Sequence, residues 1–273
     1  MNQDTSQVTS KDGTLIVFDR SGDGPPLVIV MGPTAPRAAV AHTPPVAPEI
    51  DLSTHFTVYV YDRRGRGDSG DTAPYAVERE IEDLESVIDA AGGSAFVLGH
   101  SSGAVLALRA AGKLGGKIKK LAIYEPPFII DDSRPPLPAD YVDQLRAYTA
   151  AGRPADALKY FMRVAVNIPE EHLAGAETWP TWASAVAAAH TISYDGEIMG
   201  DTMSGNPAAL EQFATIATPT LVMDGGESPP FMHNGAETLA QILPNAQHRR
   251  LAGQDHGAAP EALNPVLIEF FRG

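Results

Sequence analysis

The serine with the strongest chemical context lies in the pentapeptide Gly99-His100-Ser101-Ser102-Gly103, which has the form Gly-x-Ser-x-Gly. An apolar run, Ala95–Leu98, precedes it, and the helix-prone segment 104–114 follows it. A serine on a sharp strand-to-helix turn exposes its hydroxyl, and small neighbours let strand and helix approach closely. The pattern therefore predicts Ser101 as a nucleophile. The alternative is an ordinary glycine-rich turn.

A serine hydroxyl is a poor nucleophile at neutral pH and needs a base. His256 lies in the loop 253–257, between the segment Gln247–Leu251 and the last predicted helix. It follows Ser101 by 155 residues, in the chain order that this kind of serine turn requires. The sequence therefore predicts His256 as the general base, with a solvated loop histidine as the alternative.

Short apolar runs alternate with helical patterns and must position these residues. The predicted strands are Thr14–Phe18 as an edge strand, Leu27–Met31, Thr57–Tyr61, Ala95–Leu98, Ile118–Tyr124 and Thr220–Met223. Most are continuous apolar runs, typical of strands covered on both faces. Apolar stripes predict helices near 77–88 and 263–270. The alternation predicts an α/β fold with a parallel sheet and right-handed crossovers.

The pattern changes over residues 131–207, where no strand is evident and three helices are predicted, around 141–148, 158–166 and 182–190. We interpret this region as a helical cap inserted between two parts of one core, residues 1–130 and 208–273. Such an insertion would lie over the carboxyl edge of the sheet, where open α/β sheets bind ligands.

The chain resembles the α/β-hydrolase superfamily over nearly its whole length. Besides the serine turn, the segment 61–69 (YDRRGRGDS) looks like the turn after that fold's fourth strand. The resemblance implies a mostly parallel central sheet flanked by helices, with a helical cap. More narrowly, GHSSG, YEPP (124–127) and GGESPPF (225–231) resemble a bacterial subgroup that is distantly similar to the fungal zearalenone lactonase.

The resemblance places the acid of a triad most often three residues beyond Gly225, but Ser228 stands there and cannot hold a negative charge. Glu125 ends a predicted core strand before two prolines, an arrangement that resembles the lactonase and one branch of haloalkane dehalogenases. We favour Glu125 as the residue that orients His256. Asp224, at the end of the next predicted strand, is the main alternative, and Glu227 and Asp255 remain minor ones.

An oxyanion hole needs two N–H donors. Ser102, directly after the nucleophile, is expected to supply one. The superfamily's usual His-Gly-x loop reads Met31-Gly32-Pro33 here, and proline has no N–H. We therefore expect Gly32 to be the second donor, as in the lactonase, with Thr34 as the alternative.

Aromatic and apolar residues near these motifs are candidates for substrate contacts: Trp179, Trp182, Phe128, Met232 and Pro33. Packing within the cap is the alternative for the tryptophans. The basic cluster Arg63, Arg64 and Arg66 could bind an anion, but a turn held by hydrogen bonds to Asp62 and Asp68 is favoured.

The composition of the chain argues against several kinds of binding partner. A formal charge of −14 argues against nucleic acid, an anionic membrane or a polyanionic substrate. The chain has no cysteine, which leaves Ser101 as the nucleophile of choice and excludes thiolate metal sites. No signal peptide or membrane span is evident, so a cytoplasmic protein, free or as a homodimer, is expected.

These observations predict a serine hydrolase without cofactor or metal that cleaves a small, mainly apolar carboxylic ester or lactone through an acyl-enzyme. The serine at the turn, where aspartate would be expected, argues against haloalkane dehalogenase or epoxide hydrolase chemistry. Three alternatives stay open: a cofactor-free lyase, a perhydrolase using the same triad, and a weakly catalytic small-molecule receptor.

Overall fold

A sheet of eight strands forms the centre of the structure, a computed structural model that describes residues 4–40 and 52–273. The strands are β1 Asp4–Thr9, β2 Leu15–Ser21, β3 Pro26–Val30, β4 Thr57–Tyr61, β5 Ala95–His100, β6 Ile118–Tyr124, β7 Thr220–Gly225 and β8 Ala246–Leu251. Their order is β1-β2-β4-β3-β5-β6-β7-β8. The β1–β2 and β2–β4 pairs are antiparallel, and every later pair is parallel.

Helices connect the strands and cover the sheet. In the described residues they are α1 Arg37–Val40, α2 Val77–Ala90, α3 Ser102–Leu114, α4 Tyr141–Ala150, α5 Pro154–Val164, α6 Glu170–Leu173, α7 Trp182–Ala187, α8 Ile192–Met199, α9 Pro230–Ile242 and α10 Pro260–Arg272. Helices α2, α3 and α9 pack on one face of the sheet and α10 packs on the other. This is the α/β-hydrolase fold, and the predicted fold class is confirmed.

The two-residue period of a strand explains why continuous apolar runs build this sheet. Successive side chains point to opposite faces. In β3, Val28 belongs to the core beneath α2 and α3, whereas Leu27 and Ile29 belong to the core beneath α10. Because helices cover both faces, a central strand gains from apolar residues at every position.

A helical segment, residues 137–203, lies between β6 and β7 and has a core of its own. Leu145 of α4, Leu158 of α5 and Ile192 of α8 are buried together in it. Helix α8 is an addition to the prediction: the helix expected over 182–190 ends at Ala187, and α8 follows a short 3-10 turn. The division of the chain at residues 131 and 207 stays a prediction.

The prediction that the segment Thr14–Phe18 forms the edge strand is wrong. β2, which contains most of the predicted segment Thr14–Phe18, is flanked on both sides, and β1 forms the edge instead. The sequence of β1, DTSQVT, is polar and almost fully exposed, so it carries no apolar period. Its order comes from antiparallel pairing with β2 along its whole length.

Two features are absent from the described residues: a membrane-spanning helix and a group of metal-ligating side chains. Within residues 4–40 and 52–273, no helix is long and apolar enough to cross a membrane. In the same residues, no three histidine, aspartate or glutamate side chains form a group that could hold a metal ion.

Candidate active site

Ser101 occupies a strained turn between β5 and α3. Its backbone has φ 57° and ψ −129°, in the left-handed region that side chains other than glycine rarely adopt. Its N–H donates to the carbonyl of Tyr124 at 3.0 Å, which ties the turn to the end of β6. The glycine after it is required by close packing, because a Cβ on Gly103 would lie 2.3 Å from the carbonyl oxygen of Val30.

Glu125 and His256 are joined directly. The Nδ1 atom of His256 lies 2.7 Å from Oε2 of Glu125, and the other oxygen of Glu125 accepts the N–H of Gly225 at 2.7 Å. Glu125 is fully buried, while the His256 side chain is 45 % exposed. Burial alone would raise the pKa of Glu125, but the bonds from His256 and Gly225 outweigh it and hold that pKa below its ordinary value. The carboxylate is therefore charged and fixes the imidazole.

Asp224, the main alternative acid, is occupied elsewhere. Its buried carboxylate contacts two histidines and an arginine on neighbouring elements, His233, His248 and Arg250. The Nε2 of His248 and the Nε of Arg250 lie 2.6 and 2.7 Å from its oxygens. The minor alternatives Glu227 and Asp255 are exposed. Among the four acids, the structure joins Glu125 to His256.

The loop after β3 passes beside Ser101. A Cβ placed on Gly32 would lie 3.0 Å from the Cβ of Ser101, so the backbone of Gly32 is in close contact with it. The carbonyl of Met31 accepts a bond from Arg63 at 3.2 Å. In a trans peptide the N–H points opposite to the carbonyl, so this bond also sets the direction of the Gly32 N–H.

The second expected donor, Ser102, is the first residue of α3. The N–H groups of a helix's first turn have no partner within the helix. The Ser102 N–H therefore has no partner within α3 and lies at the helix N-terminus, where the helix dipole favours negative charge. Its side chain is engaged separately, because the hydroxyl donates to Oδ1 of Asp195 at 2.6 Å.

The three arginines of segment 61–69 are buried and do not hold the predicted contacts. Arg63 bonds to Glu80 and Asp195, and Arg66 bonds to Asp195, to Thr191 and to the carbonyl of Gly32. Arg64 bonds to Asp83 and Asp12. Asp62 and Asp68 instead accept bonds from Arg37. The predicted turn contacts are wrong because the guanidinium groups reach inward to acids far away in sequence.

His100, the variable position of the serine turn, contacts the backbone of His256. Its Nε2 lies 2.8 Å from the carbonyl oxygen of His256, and its ring stacks on Tyr124. Burial lowers the pKa of His100 to about 4. A neutral imidazole can donate from Nε2 to the His256 carbonyl, so His100 holds the loop that contains His256. The pentapeptide pattern gave no signal for this contact.

Ser101, Ser102 and His256 open into one cavity of about 220 Å³. Its walls are mainly apolar and include Pro127, Phe161, Met199, Met203 and Phe231. Pro33 and Met232, two predicted contact residues, also line it. Sites for drug-sized ligands measure roughly 300–1,000 Å³, so this cavity accommodates a small molecule.

Three predicted contact residues lie away from this cavity. Trp179 is at the surface, and Trp182 packs against the core of the helical segment with the Lys159 ammonium over its ring. Phe128 is fully buried in the main core and stacks on Phe213. The expectation that these aromatic residues line the substrate site is corrected, because Trp182 and Phe128 pack within the protein and Trp179 lies at the surface, away from the cavity.

Sequence and structure comparisons agree with this fold. Residues 44–266 match the alpha/beta hydrolase family, and the chain belongs to that family. An alpha/beta hydrolase from Sphaerobacter thermophilus DSM 20745 is 52 % identical, with a TM-score of 0.88 over 97 % of this chain and 100 % of that one. The predicted resemblance to the α/β-hydrolase superfamily is confirmed, and the narrower resemblance to a bacterial subgroup stays a prediction.

Two further relatives have named activities. N-formylmaleamate deformylase from Pseudomonas putida is 32 % identical over 146 residues, 51 % of this chain and 52 % of that protein, so the match spans about half of its length. The enol-lactonase from Burkholderia xenovorans LB400 shares the fold, with a TM-score of 0.70 at 19 % identity, over 98 % of this chain and 100 % of that one. The family match supports a hydrolase, whereas the likeness to the enol-lactonase shows the fold alone.

Proposed function

We propose that this protein is a serine hydrolase that cleaves a small, mainly apolar carboxylic ester or lactone through an acyl-enzyme. One observation carries the proposal. A serine on a strained turn shares a cavity with a histidine whose Nδ1 lies 2.7 Å from a buried carboxylate. This is the combination of nucleophile, base and orienting acid on which acyl transfer by serine depends.

In the proposed mechanism, Ser101 attacks the carbonyl carbon and His256 takes the hydroxyl proton at Nε2. Glu125 keeps the proton on Nδ1 and stabilises the imidazolium that forms. The N–H groups of Gly32 and Ser102 stabilise the negative oxygen of the tetrahedral intermediate.

His256 then protonates the leaving alcohol, or the alkoxide of an opened lactone, and the acyl-enzyme remains. Water attacks the acyl carbon with His256 again as base, and a second tetrahedral intermediate collapses to release the acid and regenerate Ser101. The half-exposed face of His256 gives this water a route to the base. His256 carries every proton transfer in this sequence, and the backbone donors only stabilise the negative oxygen.

The cavity supports a small acyl group. Its volume of about 220 Å³ and its mainly apolar walls match a short aliphatic or compact cyclic acyl chain better than a long one. Specificity for chain length should therefore have a sharp upper limit, because each added methylene must fit against fixed walls.

The test is turnover of p-nitrophenyl esters of graded chain length, with Ser101→Ala as the comparison. We expect hydrolysis of short esters, a decline for longer ones, and loss of turnover in the variant. Turnover that persists in folded Ser101→Ala would refute the nucleophile. Tight ligand binding by the native protein without any turnover would favour a receptor over an enzyme.

The name of the 32 % identical relative adds a second substrate type to the assay. An N-formyl amide should be tested beside the esters, because the same serine, base and oxyanion donors can cleave an amide when the leaving nitrogen is protonated by His256. Faster turnover of the amide than of every ester would move the proposed substrate from ester to formamide.

A further inference from the structure

Arg134 is a buried cation in the wall of the cavity that contains Ser101 and His256. It lies between β6 and α4 and is only 8 % exposed. One nitrogen, Nη2, donates to the carbonyl of Val164 at 2.9 Å. The guanidinium carbon lies 4.9 Å from the centre of the Phe231 ring. Its position is thus fixed by one backbone oxygen and one aromatic face.

Arg134 lacks a counter-ion among the residues that the structure describes. Among residues 4–40 and 52–273, no carboxylate oxygen lies within 4.0 Å of its nitrogens. Asp195 lines the same cavity, but its oxygens already accept bonds from Arg63, Arg66 and Ser102. Burial without a compensating charge lowers the pKa of Arg134 from its ordinary value, although an arginine stays protonated. A buried charge of this kind is costly unless a partner arrives.

A second donor faces the same cavity. Tyr141, the first residue of α4, lines it and is buried, and in the part of the chain that the structure describes its hydroxyl has no hydrogen-bond partner. An arginine fork and a phenol hydroxyl both donate to oxygen anions. A planar carboxylate matches the fork of a guanidinium with two parallel bonds.

We infer that the substrate carries a single carboxylate group, which the Arg134 guanidinium binds in the cavity while Ser101 attacks the scissile carbonyl. This inference rests on the proposed function and deepens it. The mainly apolar walls leave room for a short carbon skeleton between the two carbonyl groups. The net charge of −14 further disfavours a substrate with several negative charges.

The first test compares esters that differ only in a terminal carboxylate. Mono-p-nitrophenyl succinate, glutarate and adipate are paired with p-nitrophenyl butanoate, pentanoate and hexanoate. We expect the native protein to favour at least one acidic ester by about 10- to 100-fold in kcat/KM, as for a hydrogen bond to a charged group. In Arg134→Gln that preference should fall to about one, mostly through KM, with the neutral ester changed only a few-fold.

Arg163→Gln is the matched control, because it removes the same charge from the helical segment at an exposed position paired with Glu170. It should keep the preference. A merely structural role for Arg134 would lower the rates for both esters of a pair equally and leave their ratio unchanged. If Arg134→Gln does not fold, Arg134→Lys keeps the charge without the fork, and the ratio should then fall only in part.

A binding measurement tests the carboxylate site independently of turnover. Calorimetry on Ser101→Ala should show glutaramate, the monoamide with one carboxylate, binding at least 10-fold tighter than the neutral diamide glutaramide, and the difference should vanish in Ser101→Ala/Arg134→Gln. Equal turnover of each ester pair together with equal binding of acid and amide would overturn the carboxylate site and leave the hydrolase intact. Absence of all turnover, with glutaramate still bound through Arg134, would refute the proposed function and support the site.

Discussion

Replacing Glu125 by glutamine is the most direct test of the proposed triad. Glutamine has the same shape, and its amide oxygen can still accept the N–H of Gly225, which Glu125 now does at 2.7 Å. What it removes is the negative charge 2.7 Å from Nδ1 of His256. The fold should survive, whereas the imidazolium of the transition state should lose its partner.

The size of the loss follows from the distance. Two unit charges 2.7 Å apart interact by about 6 kcal/mol at an effective dielectric constant of about 20. Because the His256 side chain is 45 % exposed, water screens part of this, and about 4–6 kcal/mol is a reasonable range. Each 1.36 kcal/mol is about tenfold in rate, so Glu125→Gln should lower kcat for a short p-nitrophenyl ester by about 10³- to 10⁴-fold.

Asp224→Asn is the matched control, because it also neutralises a fully buried carboxylate at the end of a neighbouring strand. It breaks contacts to His248 and Arg250, so it should lower the free energy of unfolding by about 1–3 kcal/mol and leave kcat within a few-fold. Both variants are assayed for turnover and for urea unfolding. If Asp224→Asn abolishes turnover while folded and Glu125→Gln retains more than about a tenth of it, the assignment of the acid is refuted.

Three further substitutions test the surroundings of the site. Gly32→Ala should lower kcat/KM by about 10²- to 10³-fold, because its Cβ would lie 3.0 Å from the Cβ of Ser101; unchanged ester turnover would contradict the placement of the oxyanion loop. Asp195→Asn leaves Arg63 without part of its buried partner, so urea unfolding should show a loss of about 3–5 kcal/mol, and an unchanged midpoint would count against the network. The pKa of His100 is about 4 when folded and 6.5 when exposed, so its contribution to stability is complete above pH 6.5 and is lost as the pH falls toward 4. His100→Gln should therefore reduce the loss of unfolding free energy between pH 7 and 4.5 by about 2–3 kcal/mol; equal losses in both proteins would refute the burial of a neutral imidazole.

The parts of the site that could be predicted lie at strand ends. Ser101 follows β5 and Glu125 follows β6, and parallel neighbouring strands deliver their carboxyl ends to one edge of the sheet. His256 follows the last strand at the same edge. Local sequence therefore contained the placement of these three residues, because turn glycines, prolines and apolar runs identify where strands stop.

The residues that were not predicted depend on long-range packing. Asp195 meets Ser102 across 93 positions of sequence, and Arg134 lies in a loop of prolines and acids with no periodic pattern. The prediction that Trp179 and Trp182 contact the substrate was wrong for a different reason. Their size and apolar character favour burial, but they do not say which part of the protein a side chain will contact. Helices that pack over a sheet edge are oriented by their own core, and a sequence read element by element does not specify that orientation.

The buried arginines of this site are of two kinds. Arginines that are paired with acids hold the structure of the site, whereas an arginine without an acidic partner is available to recognise the substrate. Arg63 and Arg66 share the carboxylate of Asp195, which also accepts the Ser102 hydroxyl. That network joins the helical segment to the loop after β3, because Arg63 and Arg66 also donate to the carbonyls of Met31 and Gly32. Its positive charges are paired with Glu80 and Asp195. Arg134 differs from these two arginines. It lacks an acidic partner among the described residues, and it lines the cavity. Substitutions in the balanced network should therefore alter stability and the rate for every substrate alike. Changes around Arg134 should alter which substrate is chosen.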